Sequence, residues 1–338
     1  MFKIHDFENN KFDQWLPWGG ITHDHVLRNK DESLLGIIRY KPLSTEIILE
    51  SMEKVFPDFE MGWSIWTDRQ HIPGHDAYYI SICWNPFFDK KHNITNTLSD
   101  YCASYDDYES YFESVLNKIA HNLSLYTECQ VLNYQGIYNF LSFVISLGNK
   151  YVTMPDIPMY MDVDFSSFCK VDFPPNSVTV DDQRIVMLNL PSVPEEELYK
   201  LFSFFEDINY RYSRRLLYIN KETAGKFLDE YTSKWCSGRD SIKEVITDSI
   251  ISEVNGYFYN AFIFLIDKKD YIEFIKLIRK ATGQLALSNI IESYNLKDSW
   301  WGCIPGCFSA NITPPIMGFN SMMELLLHEE VSGPNVQT

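Results

Sequence analysis

From residue 184 to residue 291 the chain alternates two kinds of segment, and this alternation limits its fold more than any other feature. Residues 184–190 (RIVMLNL) have the β-branched, apolar composition of a buried strand. Pro194 then opens a helix whose first turn carries Glu195, Glu196 and Glu197. Proline at the first helical position loses no hydrogen bond, and carboxylates there offset the helix dipole. That helix is expected to reach about residue 209. Residues 214–219 read as a strand, 222–254 as a long and mostly helical stretch, and 257–266 as a strand. A helix over 269–282 stops at Gly283, and 285–291 is a last strand. Two split βαβ units in this order make a ferredoxin-like sandwich.

The first half gives a similar but shorter series. Residues 33–40 (SLLGIIRY) predict a buried strand, and Ser44 caps a helix through Phe56. Residues 62–67 and 77–84 predict two strands around a Pro/Gly turn at 68–76. Tyr108, Phe112, Val115, Ile119 and Leu123 mark one face of a helix over 106–128, and another helix follows at 135–147. This β-α-β-β-α order is a degenerate form of the same sandwich. Residues 151–175, with Pro155, Pro158, Pro174 and Pro175, read as irregular chain between the halves. The expected class is therefore α+β, with two mixed α/β subdomains at 1–150 and 181–320. A 151–180 linker joins them, the second is ferredoxin-like, and a tail occupies 321–338.

Charge narrows the partners. The formal net charge of −17 repels phosphate backbones and anionic headgroups, and no basic run offsets it. The reading assigns no nucleic acid as a partner. The first ten residues lack the basic and apolar regions of a signal peptide, and the apolar stretches 138–147 and 257–266 are too short to span a bilayer. Cys83, Cys102, Cys129, Cys169, Cys236, Cys303 and Cys307 are odd in number and scattered, as expected of buried thiols in a reducing compartment.

Several constellations resemble chemistry and fall short of it. A phosphate loop needs G-x-x-x-x-G-K-[ST], because its turn aims backbone N–H groups at the phosphates. Gly225-Lys226 is followed by Phe227, and Asn220 stands where the first glycine belongs. The run 262–267 (FIFLID) ends on an acid as a magnesium-holding strand does, but lacks that loop. His71 and His75 have the spacing of helical metal ligands, yet Pro73 and Gly74 intervene. His23 and His25 lack further ligands, and Cys303 with Cys307 is half a zinc knuckle without its other half. The reading assigns no catalytic residue, metal or cofactor. Trp15, Leu16, Pro17 and Trp18 form an aromatic cluster ahead of the first confident strand, a candidate interface.

Four ordered groups of residues resemble the N-terminal region of the CagE/TrbE/VirB family of type IV secretion ATPases. The first is Leu16-Pro17-Trp18 followed by Asn29-Lys30-Asp31 before a strand. The second, Met154-Pro155-Asp156-Ile157-Pro158-Met159-Tyr160-Met161-Asp162, is similar to the family's V-P-E-T-P-M-Y-L-D. The third is 210–219 (YRYSRRLLYI) with Trp235. The fourth is Trp301-Gly302-Cys303-Ile304-Pro305-Gly306, continuing to Ala310 and Asn311. Glu32 replaces the glycine that usually completes the Asn-Lys-Asp turn, Cys307 replaces a common histidine, and 322–338 lacks the usual lead-in to the ATPase.

The resemblance implies a docking and assembly module of a conjugative transfer system, without Walker motifs and inactive as an ATPase on its own. Its implied partners are other secretion subunits at the inner membrane, itself, or a separate ATPase chain. The implied location is cytoplasmic, peripheral to that membrane. Pro155, Pro158, Tyr160, Asp162, Trp301, Gly302, Pro305, Gly306 and Asn311 are then structural motif residues. Composition leaves a second reading open, an unrelated acidic protein-binding module of the immunity or inhibitor type.

Overall fold

The computed structural model describes residues 16–23, 25–42, 55–56, 62–86, 105–155, 160–175, 177–190, 195–219, 255–266, 270–284, 291–293, 296–307 and 316–318. In chain order the strands are β1 (Trp18–His23), β2 (Val26–Asn29), β3 (Leu34–Tyr40), β4 (Trp63–Ile72), β5 (His75–Trp84), β6 (Cys129–Val131), β7 (Val171–Asp172), β8 (Val178–Val180), β9 (Gln183–Asn189), β10 (Tyr210–Ile219), β11 (Asn255–Ile266) and β12 (Ile316–Gly318). The helices are α1 (Tyr105–Ser124), α2 (Tyr134–Ser146), α3 (Met161–Phe168), α4 (Glu195–Phe204), α5 (Tyr271–Gln284) and α6 (Leu296–Gly302). The class is α+β.

All twelve strands form one sheet, ordered β1-β2-β3-β5-β4-β10-β11-β9-β8-β7, with β6 added to β3 and β12 to β11. Every pairing is antiparallel. The order reads the same from either end. In one half, β6-β3-β5-β4 is the fourth-first-third-second order of a split βαβ sandwich. In the other, Ile291 bridges Leu188 on β9, which continues through β11 to β10 in that same order. Each half also begins with a short hairpin, β1-β2 or β7-β8, laid beside its first strand. The first half thus repeats the strand order of the second, and β6 supplies the strand missing from the sequence reading. The halves join where β4 and β10 pair, from Tyr210↔His71 to Leu217↔Ser64.

Side chains alternate across a strand, so each strand feeds both faces of the sheet. On one face α1 buries Phe112, Leu116, Ile119 and Leu123 against Ile38, Ile65 and Ile82. On the same face α4 and α5 bury Leu201, Phe202, Phe274 and Ile278 against Leu188, Tyr212 and Phe264. The opposite face carries α2, α3 and α6, packed on Leu35, Ile37, Trp66, Met187 and Ile263.

Several boundaries differ from the sequence reading. The turn expected over 68–76 is only Pro73-Gly74, with Ile72 paired to His75 and Gly74 at φ +82°. Residues 68–72 extend β4 because Asp68, Gln70 and His71 are buried with polar partners, which hides the apolar alternation. The stretch 151–175 contains α3, whose Met161 and Phe165 are buried. The helices expected over 44–54 and 222–254, and residues 285–290, lie outside the described residues.

A charged cluster bridges the halves at the end of the β4–β10 pairing. The His71 ring stacks on Tyr210, centroids 4.6 Å apart. Its Nδ1 lies 2.6 Å from Asp76 Oδ1 and its Nε2 2.8 Å from the Glu206 carbonyl oxygen. Both partners are acceptors, so both nitrogens donate and the ring is the imidazolium. Burial pulls the His71 pKa down, but the Asp76 and Glu206 contacts outweigh it and hold it above 6.5. Burial pushes Asp76 up, while His71 and Arg69 together hold it below 3.8. The His71 contribution is whole below pH 6.5 and is lost as pH rises through the raised folded value. The Asp76 contribution is present above 3.8 and fades as pH falls below it. Melting temperature measured from about pH 6 to about pH 9 should fall more steeply in the native protein than in His71→Gln. Parallel curves would show that the clamp does not depend on the ring's charge.

Candidate functional site

The strand β10 reads Tyr-Arg-Tyr-Ser-Arg-Arg-Leu-Leu-Tyr-Ile. Alternation sends Tyr210, Tyr212 and Leu216 into the helix-covered cores, and Arg211, Ser213 and Arg215 to the opposite face. There Arg211 meets β4. Its Nε donates to Asp68 Oδ1 at 2.6 Å, with side-chain exposures of 1% and 0%. Burial pushes the Asp68 carboxyl above its ordinary range, and Arg211 opposes that shift. A guanidinium does not give up its proton in a protein, so the pair is ionic. Arg215 stacks over Trp66, which it faces in register, at 5.0 Å from the ring centroid.

Over this pair lies a strap made of α6 and the turn 303–307. Among the described residues no strand backbone hydrogen-bonds to it; side chains from the sheet hold its carbonyls. Trp66 Nε1 donates to Gly302 O at 2.9 Å, and Arg215 Nη1 reaches the same oxygen at 3.4 Å. Arg211 Nη2 donates to Cys303 O. Trp18 Nε1 donates to Pro305 O at 2.9 Å. A helix end leaves its last carbonyls without intrahelical partners, and here tryptophans and arginines supply them. Trp300 and Trp301 are buried at 1% and 4% exposure, packed edge-on at 4.9 Å, and Phe173 from the second half packs on both.

The resemblance-bearing segments converge on this strap. Lys30 N donates to Pro17 O at 2.7 Å, tying Leu16-Pro17-Trp18 to Asn29-Lys30-Asp31. Lys30 Nζ pairs with Asp162 Oδ2 at 2.6 Å, and Trp18 packs edge-on against Phe165 at 5.1 Å, bringing in α3. Gly306 sits at φ +90°, and a Cβ there would lie 2.8 Å from Asn29 Nδ2. Glu32, standing where the family usually has glycine, takes φ +69° and donates its N–H to Asn29 O at 3.1 Å. Segments separated by up to 287 positions in sequence therefore meet in one buried network.

Leu16 and Trp18, expected as interface anchors, lie in the core at 1% and 0% exposure, and Pro17 is half-buried. Tryptophan is large and carries one N–H, and here the strap supplies both the cover and the acceptor. Trp15, Pro158 and Asn311 lie outside the described residues, as does Gly225-Lys226. Pro155 is half-buried, and Tyr160 is exposed. His71 is held as described above, and His25 Nδ1 lies 2.9 Å from Leu132 O. Among the described residues no group of three or more His, Cys, Asp or Glu side chains is placed to hold a metal. Sequence reasoning missed Asp68, Arg211 and Arg215 as the polar centre. Their only signal was three arginines inside an otherwise strand-like run.

Beside the strap, Gly19, Gly20, Ile21, Thr22, Arg28, Asn29 and Tyr160 line an open cleft of about 420 Å³. Tyr160 and Val163 stand exposed at 64% and 52%. No helix among the described residues is long and apolar enough to cross a membrane.

No family model matches the chain. It is similar to the conjugal transfer protein TrbE of Rhizobium radiobacter, 21% identical over 224 residues, covering 58% of this chain and 27% of that protein. It is equally similar to a probable conjugal transfer protein TrbE of Sinorhizobium fredii, at 21% over 224 residues, covering 58% of this chain and 33% of the relative. The chain thus spans about a third or less of the length of these relatives. Among solved structures, two variants of berberine bridge enzyme align with 78% and 79% of the chain, at TM-scores of 0.32 and 0.31 and 10% and 11% identity. A likeness that weak carries no argument.

Valine at position 306 would meet both a positive φ and the Asn29 amide. Gly306→Val should therefore lower the melting temperature by at least about 4 °C. Calorimetry checks this, and an unchanged transition would mean that the turn does not secure the strap.

Proposed function

We propose that this chain is a docking and assembly module of a conjugative transfer machine, corresponding to the non-ATPase part of a TrbE-like protein. One observation carries the reading. The segments through which the chain resembles that family are the ones that meet around the strap, and TrbE proteins are among its distant relatives. A buried structural network is what a rigid scaffold needs in order to present a surface. The chain does not hydrolyse ATP by itself, because no stretch of its 338 residues has the phosphate-loop spacing.

Its partners are protein subunits of the secretion machine, met at the cytoplasmic side of the inner membrane. The net charge of −17 supports protein partners over nucleic acid or anionic lipid alone. The docking surface is the exposed apolar rim formed by Tyr160 and Val163 beside the β1 cleft, with Trp15 leading towards it in sequence.

Two measurements test this reading. Phosphate release and titration calorimetry on the pure chain should show no ATP turnover; micromolar ATP binding with turnover would overturn the non-catalytic assignment. Co-purification with the inner-membrane secretion subunits should be weakened at least about tenfold by Tyr160→Ala with Val163→Ala, since central apolar anchors contribute most of the binding energy of such contacts. Full capture by that folded double variant, and by Trp15→Ala, would exclude this rim as the docking surface.

A further inference from the structure

Strand β1 closes one end of the sheet order, and among the described residues only β2 pairs with it. A terminal strand carries a row of backbone N–H and C=O groups on its outer side, which is a template for a further strand. Proteins usually blunt such an edge with charged side chains or cover it with a neighbouring element. Here Gly19 and Gly20 put no side chain beside it. Gly19, Gly20, Ile21 and Thr22 instead line the open cleft of about 420 Å³, together with Arg28, Asn29 and Tyr160.

The pairing with β2 sets the size of this edge. Trp18 faces Asn29, Gly20 faces Arg28, Ile21 faces Leu27 and His23 faces Val26. Gly19 and Thr22 are therefore bulge residues with no opposite on β2. Glycine is required at the first of them, because a Cβ there would lie 2.8 Å from Arg28 O. Bulges bend and twist an edge, so a long flat strand does not run along it. The stretch from Gly19 to Thr22 offers a segment of about 13 Å, enough for a short peptide.

Charge selects what fits. Arg28 is paired with Glu32, and Lys30 with Asp162. Asp31 accepts from Ser33 and Asn85, and Asp164 from Tyr138, all neutral donors. The surroundings of the cleft thus keep an excess of negative charge. Tyr160 forms its other wall and is 64% exposed. A tyrosine ring in such a setting takes a lysine or arginine head group over its face.

We infer that the outer edge of β1 takes up a short extended peptide with basic side chains, contributed by a partner protein and added to the sheet as one more strand. This rests on the docking reading and names the chemistry that its rim receives. Backbone hydrogen bonds along Gly19 to Thr22 hold the segment, and alternate side chains of the added strand reach Tyr160. A second copy of this chain suits the edge poorly, because both copies bring a net charge of −17 and the same bulged strand.

Fluorescence anisotropy of a labelled hexapeptide of alternating lysine and valine, titrated with the native full-length chain, tests the inference. Binding should be at least about tenfold tighter than that of the same peptide N-methylated throughout, which cannot donate from its backbone, and than that of a glutamate–valine copy. Thr22→Pro sets a proline ring into the edge and Tyr160→Ala removes the aromatic wall, and each should weaken binding at least about threefold. If circular dichroism shows that Thr22→Pro is unfolded, the N-methylated peptide makes the same comparison from the ligand side. No binding of the lysine peptide, equal binding of either control peptide, or full binding by folded Thr22→Pro and Tyr160→Ala would overturn the inference. A dimer of the free chain that the peptide dissolves, seen by sedimentation, would give the edge to a second copy and overturn it too. The docking reading is tested apart from this one: if the peptide fails while Tyr160→Ala with Val163→Ala still loses capture of the secretion subunits, strand addition falls and the rim stands.

Discussion

Arg211 reaches from β10 to Asp68 on β4, and those two strands belong to different halves of the molecule. Backbone pairing alone would join two sandwiches at their edges and leave the far face of the seam open to water. The ion pair changes what that face can tolerate. A carboxylate and a guanidinium removed from water are unfavourable unless their remaining hydrogen-bonding groups are met. The strap meets one of them through Cys303 O and covers the pair, while Trp66 and Trp18 hold its other carbonyls. Because Trp18 comes from the first described strand and the strap from beyond the last long described helix, segments 287 positions apart are fixed by the same few contacts. Burying polar groups at the seam in this way favours one register of β4 against β10, since a slip of one residue would send Asp68 and Arg211 to the wrong face.

The elements legible in the sequence were those with one apolar face. The helix α1 announced itself through Phe112, Ile119 and Leu123, which are buried in the structure, and α5 through its stop at Gly283. The ferredoxin-like order of the second half followed from such elements. What stayed hidden has a common physical cause. Strand β10 begins at Tyr210, but Arg211, Ser213 and Arg215 break its apolar pattern because their burial depends on partners far away in sequence. The same holds for the end of β4, where Gln70 donates to Phe140 O and His71 to Glu206 O. Short strands such as β6 and β8 carry only three residues, too few for any period to show. The candidate site was legible as a set of motifs but not as a place. Only the fold shows Lys30 beside Asp162 and Gly306 beside Asn29. The aromatic cluster near the N-terminus was read as a candidate interface, and nothing in sequence announces that a turn 287 residues later covers Trp18.

The duplicated topology gives the scaffold its character. Two sandwiches share one sheet, their helices cover one face, and the connecting helices with the strap cover the other. Such an arrangement has a thick centre, and at its rim Tyr160 and Val163 stand exposed. Among the described residues under the strap, Asp68 Oδ2 and the Nε and Nη2 of Arg215 are buried without a hydrogen-bond partner.

The central claim is that the Asp68–Arg211 pair couples the two halves. A double-mutant cycle in urea, using Asp68→Asn, Arg211→Met and both together, measures it directly. Each single change should cost about 3–5 kcal/mol, because it leaves a buried charge or polar group alone. The double variant should recover at least about 2 kcal/mol of the summed loss, the signature of a direct interaction. Small single effects that simply add would contradict the account, since the seam would then hold without the pair.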